Sequence, residues 1–305
     1  MTTDTTISRA NLSDLALLML TALIWASAFT AIKIAVVETG PVWTAAFRVG
    51  LGFLALLPVA IFTGATLPRK LNDWGMITLI ASLYSVIPFV LISWALLSVN
   101  AGTAALLMGT TPFVAMVLAH FVTEDEKINR YKVIGVCLGL SGIVTVIGPQ
   151  VLLGLGSAKL TSQLAIIAGA WCYVIAGLLL RRVKMEPVEF TIYSLGAGAL
   201  MLSVVAFIIE GVPSLPGNDA IVALLWLGAF PTGLAYVLRY YLVRRVGVSL
   251  FALSMNTIPV FGVVIGAVLL GEVITTEIML SLTLVICGLL VARLGTATQL
   301  NKKRA

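Results

Sequence analysis

Gly139-Leu140-Ser141-Gly142 has the pattern of a serine nucleophile carried on a helix, and His120 is the one histidine of the chain. Such a serine needs a base within hydrogen-bond reach, and His120 lies upstream at the end of a different apolar stretch. The same small residues also suit close packing between helices. That second reading is preferred, because the corresponding run later in the chain, Val285-Ile286-Cys287-Gly288, keeps small residues and loses the serine. No HExxH pair and no phosphate-binding glycine loop is present. Cys137, Cys172 and Cys287 all fall inside apolar stretches with no metal-site spacing, so they read as small apolar side chains. No metal, no cofactor and no enzymatic activity is expected.

Binding chemistry is better supplied. Trp25, Tyr84, Trp94, Trp171, Tyr173, Tyr236 and Tyr240 lie within apolar stretches. Trp and Tyr bury a large apolar face and keep a polar handle, which suits an amphipathic solute. They also form belts at membrane interfaces, the plainer alternative for each of them. Trp25 and Trp171 occupy equivalent positions in the two halves described below and are the favoured pair. Met108, Thr110 and Thr111 precede Pro112, and Ser254, Asn256 and Thr257 precede Pro259. These polar groups either satisfy the carbonyls that proline frees or contact the polar ends of a solute. Asn256 is the strongest candidate for a contact, since a buried amide in lipid needs a partner. Pro88, Pro112, Pro231 and Pro259 fall inside apolar stretches; each is expected to kink its helix, as a hinge or, in the plainer alternative, as a static bend.

The charged groups narrow the chemistry. All thirteen acidic residues lie in links or near the ends of apolar stretches. A proton relay or cation site usually needs an intramembrane carboxylate, so cation/proton exchange of that kind is disfavoured. Arg239 either faces a cavity with Tyr236 and Tyr240 or snorkels to the nearer surface; snorkelling is preferred, because Arg244 and Arg245 lie just beyond it. Lys33 and Arg48 are expected near the other surface, either drawing in a carboxylate or pairing with Glu38.

These residues must be positioned by helices in lipid. Apolar residues make up 60% of the chain and charged ones 10%, against roughly 25% charged in soluble domains. Ten stretches are long enough to cross a hydrocarbon core: 15–37, 41–62, 74–97, 101–121, 132–148, 160–180, 187–209, 219–243, 248–270 and 275–294. An open sheet would leave backbone groups unpaired in lipid, so the spans are helices. The Ala26-Ser27-Ala28 run after Arg9 has a flavour of a signal cleavage site, but the apolar character continues through Val37, which reads as a first span. The formal charge of +6 is not spread as in a nucleic-acid binder. Of 19 Lys and Arg residues, only Lys33, Arg48 and Lys159 fall on or toward the side opposite the chain ends. This positive-inside bias puts both termini in the cytoplasm.

The halves resemble each other at an offset of 146 or 147 residues. Trp25 answers to Trp171, Pro41-Val42 to Pro187-Val188, and Gly50 to Gly196. Residues 104–116 align with 251–263, matching Met108 to Met255, Thr110 to Thr257 and Pro112 to Pro259, and Glu126-Lys127-Ile128 meets Glu272-Val273-Ile274. Five crossings leave the chain on the other side of the bilayer, so the second copy must insert upside-down. Inverted repeats recur in secondary transporters. The expected fold is an all-α integral membrane protein of ten transmembrane helices arranged as a 5+5 inverted-topology repeat, with halves 1–148 and 149–305 forming one transport unit.

The sequence at this point resembles a known family. WASAF (25–29), FRVG (47–50), TTPF followed by EKI in the fourth helix and its link, and IGVCLGLSGIV (134–144) together look like the EamA-type exporters of the drug/metabolite transporter superfamily. Within that group the chain is most similar to the bacterial YddG-type exporters of aromatic amino acids. The resemblance implies ten helices, cytoplasmic ends, a bacterial inner-membrane location and a central cavity lined mainly by helices 1, 3, 4, 6, 8 and 9. It implies export of amino acids, aromatic and hydrophobic ones first, by alternating access, with the lipid bilayer and a small-molecule solute as partners, no nucleic acid, and a monomer sufficient for transport. A broad efflux carrier for drugs or nucleosides is the alternative. A pore, a scaffold and an intramembrane enzyme rank below it; the His-before-Ser order reverses that of rhomboid-like proteases.

Overall fold

A computed structural model describes residues 10–68, 70–122, 128–148 and 158–304. Arg9, Arg69 and the acidic and basic residues at 124–127 lie outside them, as does the Glu126-Lys127 part of the repeat motif. Among the described residues, ten helices are long and apolar enough to span a membrane. They are α1 (Leu12–Thr39), α2 (Pro41–Thr63), α3 (Leu71–Leu96), α4 (Ala101–Val122), α5 (Arg130–Ile147), α6 (Lys159–Leu180), α7 (Pro187–Glu210), α8 (Asn218–Val246), α9 (Val248–Leu270) and α10 (Thr276–Arg304). They fall on the ten expected stretches. The bundle has a terminal face, where α1 begins, and an opposite face.

Local chemistry sets the ends. Asn11 caps α1 in a reciprocal box with Asp14, and Asn129 caps α5 through the Lys132 amide. Pro41 and Pro187 open α2 and α7, where a missing N–H costs nothing. Gly40 and Gly247 are single-residue connections at φ 77° and 86°, a conformation that glycine takes without a Cβ penalty. On the opposite face, carboxylates at helix ends accept from the open N–H groups of incoming helices. Glu210 takes the Val42 and Trp43 amides at 3.0 and 2.9 Å, Glu272 takes Ala101 and Gly102 at 2.6 and 2.9 Å, and Glu38 takes Gly217 at 2.6 Å. Each places a negative charge at the positive end of a helix dipole.

Four helices are not continuous. In α3 a π-helical turn spans Ser82–Val86, followed by Pro88. In α8 one spans Gly228–Leu234 and contains Pro231. Helix α4 breaks between Ala101–Met108 and Thr111–Val122, and α9 between Val248–Met255 and Ile258–Leu270. The breaks in α4 and α9 coincide at an offset of 147 residues, and the π-turns overlap at that same offset, so the correspondence read in the residues extends to backbone irregularities. All four prolines named as hinges stand at these breaks.

Packing pairs α5 with α10, α2 with α7, α3 with α6, and the first half of α4 with the second half of α9. Small residues permit the closest contacts. Gly135, Gly139 and Gly142 of α5 lie against Gly288, Ser281 and Val285 of α10, with the Phe113 ring wedged beside Gly139. This is the packing role favoured for the Gly-x-Ser-Gly run. Ser141 is exposed and gives its hydroxyl to the Leu138 carbonyl.

Candidate functional site

Near mid-height, α2 approaches the π-turn of α8 closely enough that a Cβ on Gly52 would lie 2.4 Å from Thr232 Cγ2, and one on Gly228 2.2 Å from Leu51 Cβ. One turn before Gly52, Arg48 is thereby brought to Thr232, its Nε donating to the hydroxyl at 3.1 Å. Its guanidinium lies 3.8 Å from the Phe89 ring centroid. Helix α1 completes the approach: the Trp25 indole N–H donates to the Pro231 carbonyl in the same π-turn at 2.9 Å.

A connected set of rings extends from this point. Trp25 meets Tyr236 edge-on at 6.4 Å and Phe251 at 6.0 Å. Tyr84, carried by the π-turn of α3, meets Tyr236 at 6.2 Å and Tyr173 at 5.4 Å, and Tyr173 lies 6.4 Å from Phe89. Edge-to-face geometry is what ring quadrupoles favour. Helices α1, α3, α6, α8 and α9 each supply a ring. Arg239 joins the set, donating from Nη1 to the Tyr84 hydroxyl at 2.7 Å. Trp25, Tyr84, Tyr173, Tyr236 and Arg239 are all half-buried although they face the middle of the bundle.

The half-burial follows from how the broken helices diverge. Toward the opposite face, the first half of α4 and the second half of α9 pack on each other and on α1. Toward the terminal face, Thr111–Val122 turns to α5 and α6, while Val248–Met255 turns to α1 and α8. Helices α4 and α9 are thus packed together on one side of the ring cluster and parted from each other on the other.

The expected residues distribute unevenly over this geometry. Trp25, Tyr84 and Tyr236 are brought together, with Tyr173 beside them. Trp171 is not: it is 42% exposed, on a stripe with Leu164, Ala168 and Ile175. Two residues before Tyr173 means about 200° around the helix, so a ring pointing inward at 173 sends 171 outward to lipid. Trp94 likewise stands on an outward stripe with Ile87 and Leu97. Tyr240 lies near the terminal face, its hydroxyl accepting from Arg244, in a cleft with Val237, Tyr241 and Arg245. Thr110 and Ser254 are buried and return their hydroxyls to the Leu107 and Leu250 carbonyls, which repairs the helix breaks. Thr111 and Thr257 do the same for Met108 and Ser254. Met108 is half-buried beside the break, and Asn256 is half-buried with only its backbone amide bonded among the described residues.

The cations depart furthest from expectation. Arg239 does not snorkel outward but turns to Tyr84. Arg48 is buried and does not pair with Glu38, which is spent on the Gly217 amide. Lys33 donates to the Val99 carbonyl at 2.6 Å. A side chain on a helix leans toward the helix N-terminus. Because α8 runs from the opposite face toward the terminal one, Arg239 leans back toward mid-height; that direction was readable from the residues once the topology was set.

Ten apolar helices, four of them broken near mid-height around a ring cluster, make a polytopic membrane protein. The chain belongs to the EamA-like transporter family, which matches residues 12–148 and again 160–294. It is 25% identical to YoaV, an uncharacterized transporter of Bacillus subtilis, over 88% of this chain and 92% of that one. It is 28% identical to a probable terminal-alkyne amino-acid exporter of Streptantibioticus cattleyicolor, over 84% and 85%. An uncharacterized inner membrane transporter of Escherichia coli, YedA, is 24% identical over 90% and 88%. A solved crystal structure superposes with a TM-score of 0.66 at 20% identity, covering 93% of this chain and 99% of that one, and supports the fold alone. The relatives are transporters, and Ser141 gives its hydroxyl to its own helix backbone.

Proposed function

We propose that this protein exports amino acids, aromatic and hydrophobic ones first, across a bacterial inner membrane by alternating access. The observation that carries the reading is the half-buried ring cluster of Trp25, Tyr84, Tyr173 and Tyr236 at mid-height, on the parted side of the bundle. Edge-exposed rings there offer an apolar side chain both contact area and polar handles. The name of the Streptantibioticus relative supports amino acids as the solute class. The positive-inside bias assigns the terminal, parted face to the cytoplasm, so the solute enters from the cell interior. The halves 1–148 and 149–305, inserted in opposite senses, supply the two related gates, and Pro88, Pro112, Pro231 and Pro259 mark where the helices bend.

The test is counterflow in proteoliposomes with a panel of amino acids, nucleosides and cationic dyes. Phenylalanine or tryptophan exchange above protein-free vesicles is expected; its absence, with dyes or nucleosides moving instead, overturns the solute class. Trp25→Ala should cut flux by tenfold or more, about 1.4 kcal/mol of lost binding. Trp171→Ala should leave flux within about twofold, because that ring faces lipid. The opposite ranking would place the solute elsewhere.

A further inference from the structure

Two guanidinium groups stand at this site, with no acidic residue at mid-height among the described residues. Arg48, seven residues into α2, lies about 10 Å inside the opposite face, and Arg239, seven residues before the end of α8, about 10 Å inside the terminal one. Both are within electrostatic range of the Tyr236 hydroxyl. Among the described residues neither makes an ion pair. Each guanidinium carries five N–H donors. The neutral hydroxyls of Thr232 and Tyr84 each take one of them.

A hydroxyl and a ring face solvate a cation but do not neutralise it. Ionisable groups inside a membrane protein pair with one another or mark a solute pathway. Four carboxylates at helix ends are already engaged at the faces. Glu38, Glu210 and Glu272 hold helix N-termini, and Asp14 is paired with Arg245. The missing negative charge must come with the solute.

The two arginines are not equivalent. Arg48 is 8% exposed, closed in by Phe89 and Thr232. Arg239 is half-buried, with the Tyr84 hydroxyl holding one arm of its fork. A solute ammonium finds less: the Pro231 carbonyl is already taken by Trp25, and no carboxylate faces the rings.

We propose that Arg239 binds the carboxylate of the solute, with Arg48 as a fixed positive charge behind it, so that the transporter recognises an apolar or aromatic group plus a carboxylate and makes little use of the amino group. This rests on the ring cluster being the solute site. Its consequence is a substrate class wider than amino acids in one direction and closed in another. An aromatic carboxylic acid without the amino group is accepted, and the corresponding amine is repelled by two like charges. Tyr84 is a positioning residue, aiming the fork.

The experiment is competition against labelled phenylalanine counterflow in proteoliposomes of the purified full chain, using 3-phenylpropionate and phenethylamine, with direct flux of labelled 3-phenylpropionate in parallel. We expect 3-phenylpropionate to compete within about threefold of phenylalanine, and phenethylamine to be about a hundredfold weaker. Arg239→Gln should abolish the discrimination, and Arg239→Lys, which keeps the charge without the fork, should retain part of it. Tyr84→Phe should raise KM with kcat nearly unchanged. Discrimination is read first on the unmodified protein, so a variant that fails to fold does not decide the matter. Phenylalanine flux with phenethylamine competing as well as 3-phenylpropionate overturns the carboxylate assignment and leaves amino acid export standing. Flux of 3-phenylpropionate that depends on Arg239, without any amino acid flux, overturns amino acid export and upholds the assignment. Flux of neither removes both.

Discussion

Gly288→Leu should prevent α5 and α10 from packing and should remove folded protein from detergent extracts. A Cβ at 288 would stand 2.6 Å from the Gly135 carbonyl oxygen and 2.9 Å from the Gly139 amide nitrogen. Both are backbone atoms, so no side chain can rotate away and the helices themselves must separate. The Phe113 ring, 3.1 Å from the same point, would be displaced from its seat beside Gly139, and with it the contacts to Leu106, Val263, Val285 and Leu289. Overpacking of this kind costs about 1–3 kcal/mol or more, so even Gly288→Ala should lower the melting temperature by several degrees. Gly177 is the control. It is exposed on α6 with nothing within 4 Å of its Cβ position. Gly177→Ala should be neutral or stabilising by up to about 1 kcal/mol, since alanine is the better helix former. Thermal melts of the three variants by size-exclusion chromatography decide the matter; equal melting of Gly288→Ala and Gly177→Ala would mean that the interface yields more easily than its backbone contacts imply.

Glu272→Ala should open the opposite face. The Glu272 carboxylate joins the end of α9 to the start of α4, and Lys33 of α1 donates to the Val99 carbonyl beside it. Two charge-assisted bonds to backbone amides are lost together. At about 1.5–3 kcal/mol each, and allowing for water replacing part of that, the seal weakens by about 3 kcal/mol, roughly a hundredfold shift of the two-state equilibrium. Val99, 1% exposed beside this seal, provides the reporter. With Cys137, Cys172 and Cys287 replaced by alanine and Val99→Cys introduced, a membrane-impermeant maleimide should label the Glu272→Ala protein severalfold faster. Unchanged labelling in well-folded protein would mean that side-chain packing between α4 and α9, not the carboxylate, keeps this face shut.

The span boundaries were legible because lipid demands apolar length, and the chain has little else between its charge clusters. The break in α9 at 256–257 was legible from Pro259 and from the match to Pro112. Rotation about each helix axis was not. In a soluble protein the buried face is more apolar than the other and periodicity reveals it. Here lipid and protein interior ask for the same side chains, so Trp171 and Tyr173, Trp94 and Phe89 could not be told apart by character. Only the neighbouring helices decide which of each pair faces inward. Arg239 was misjudged for a different reason. Its distance from the end of α8 suggested the surface, whereas the lean of side chains along a helix carries it toward Tyr84. Phe251, a member of the cluster, was hidden because phenylalanine has no polar handle to mark it.

The π-turns of α3 and α8 each hold one residue more than an α-helix would need over the same rise. Such a surplus is an angular offset: everything beyond it is rotated by about 100° relative to a regular helix. Tyr236 and Arg239 owe their bearing to the surplus in Gly228–Leu234. A change that let Gly228–Leu234 wind as regular α-helix without removing a residue would leave length and topology untouched, yet would swing both side chains off the cluster and turn the Pro231 carbonyl from Trp25. The solute site is therefore tuned by backbone winding as well as by residue type. Among relatives, loss of this π-turn without a compensating one-residue gap would mark a change of solute that comparison of side chains alone would miss.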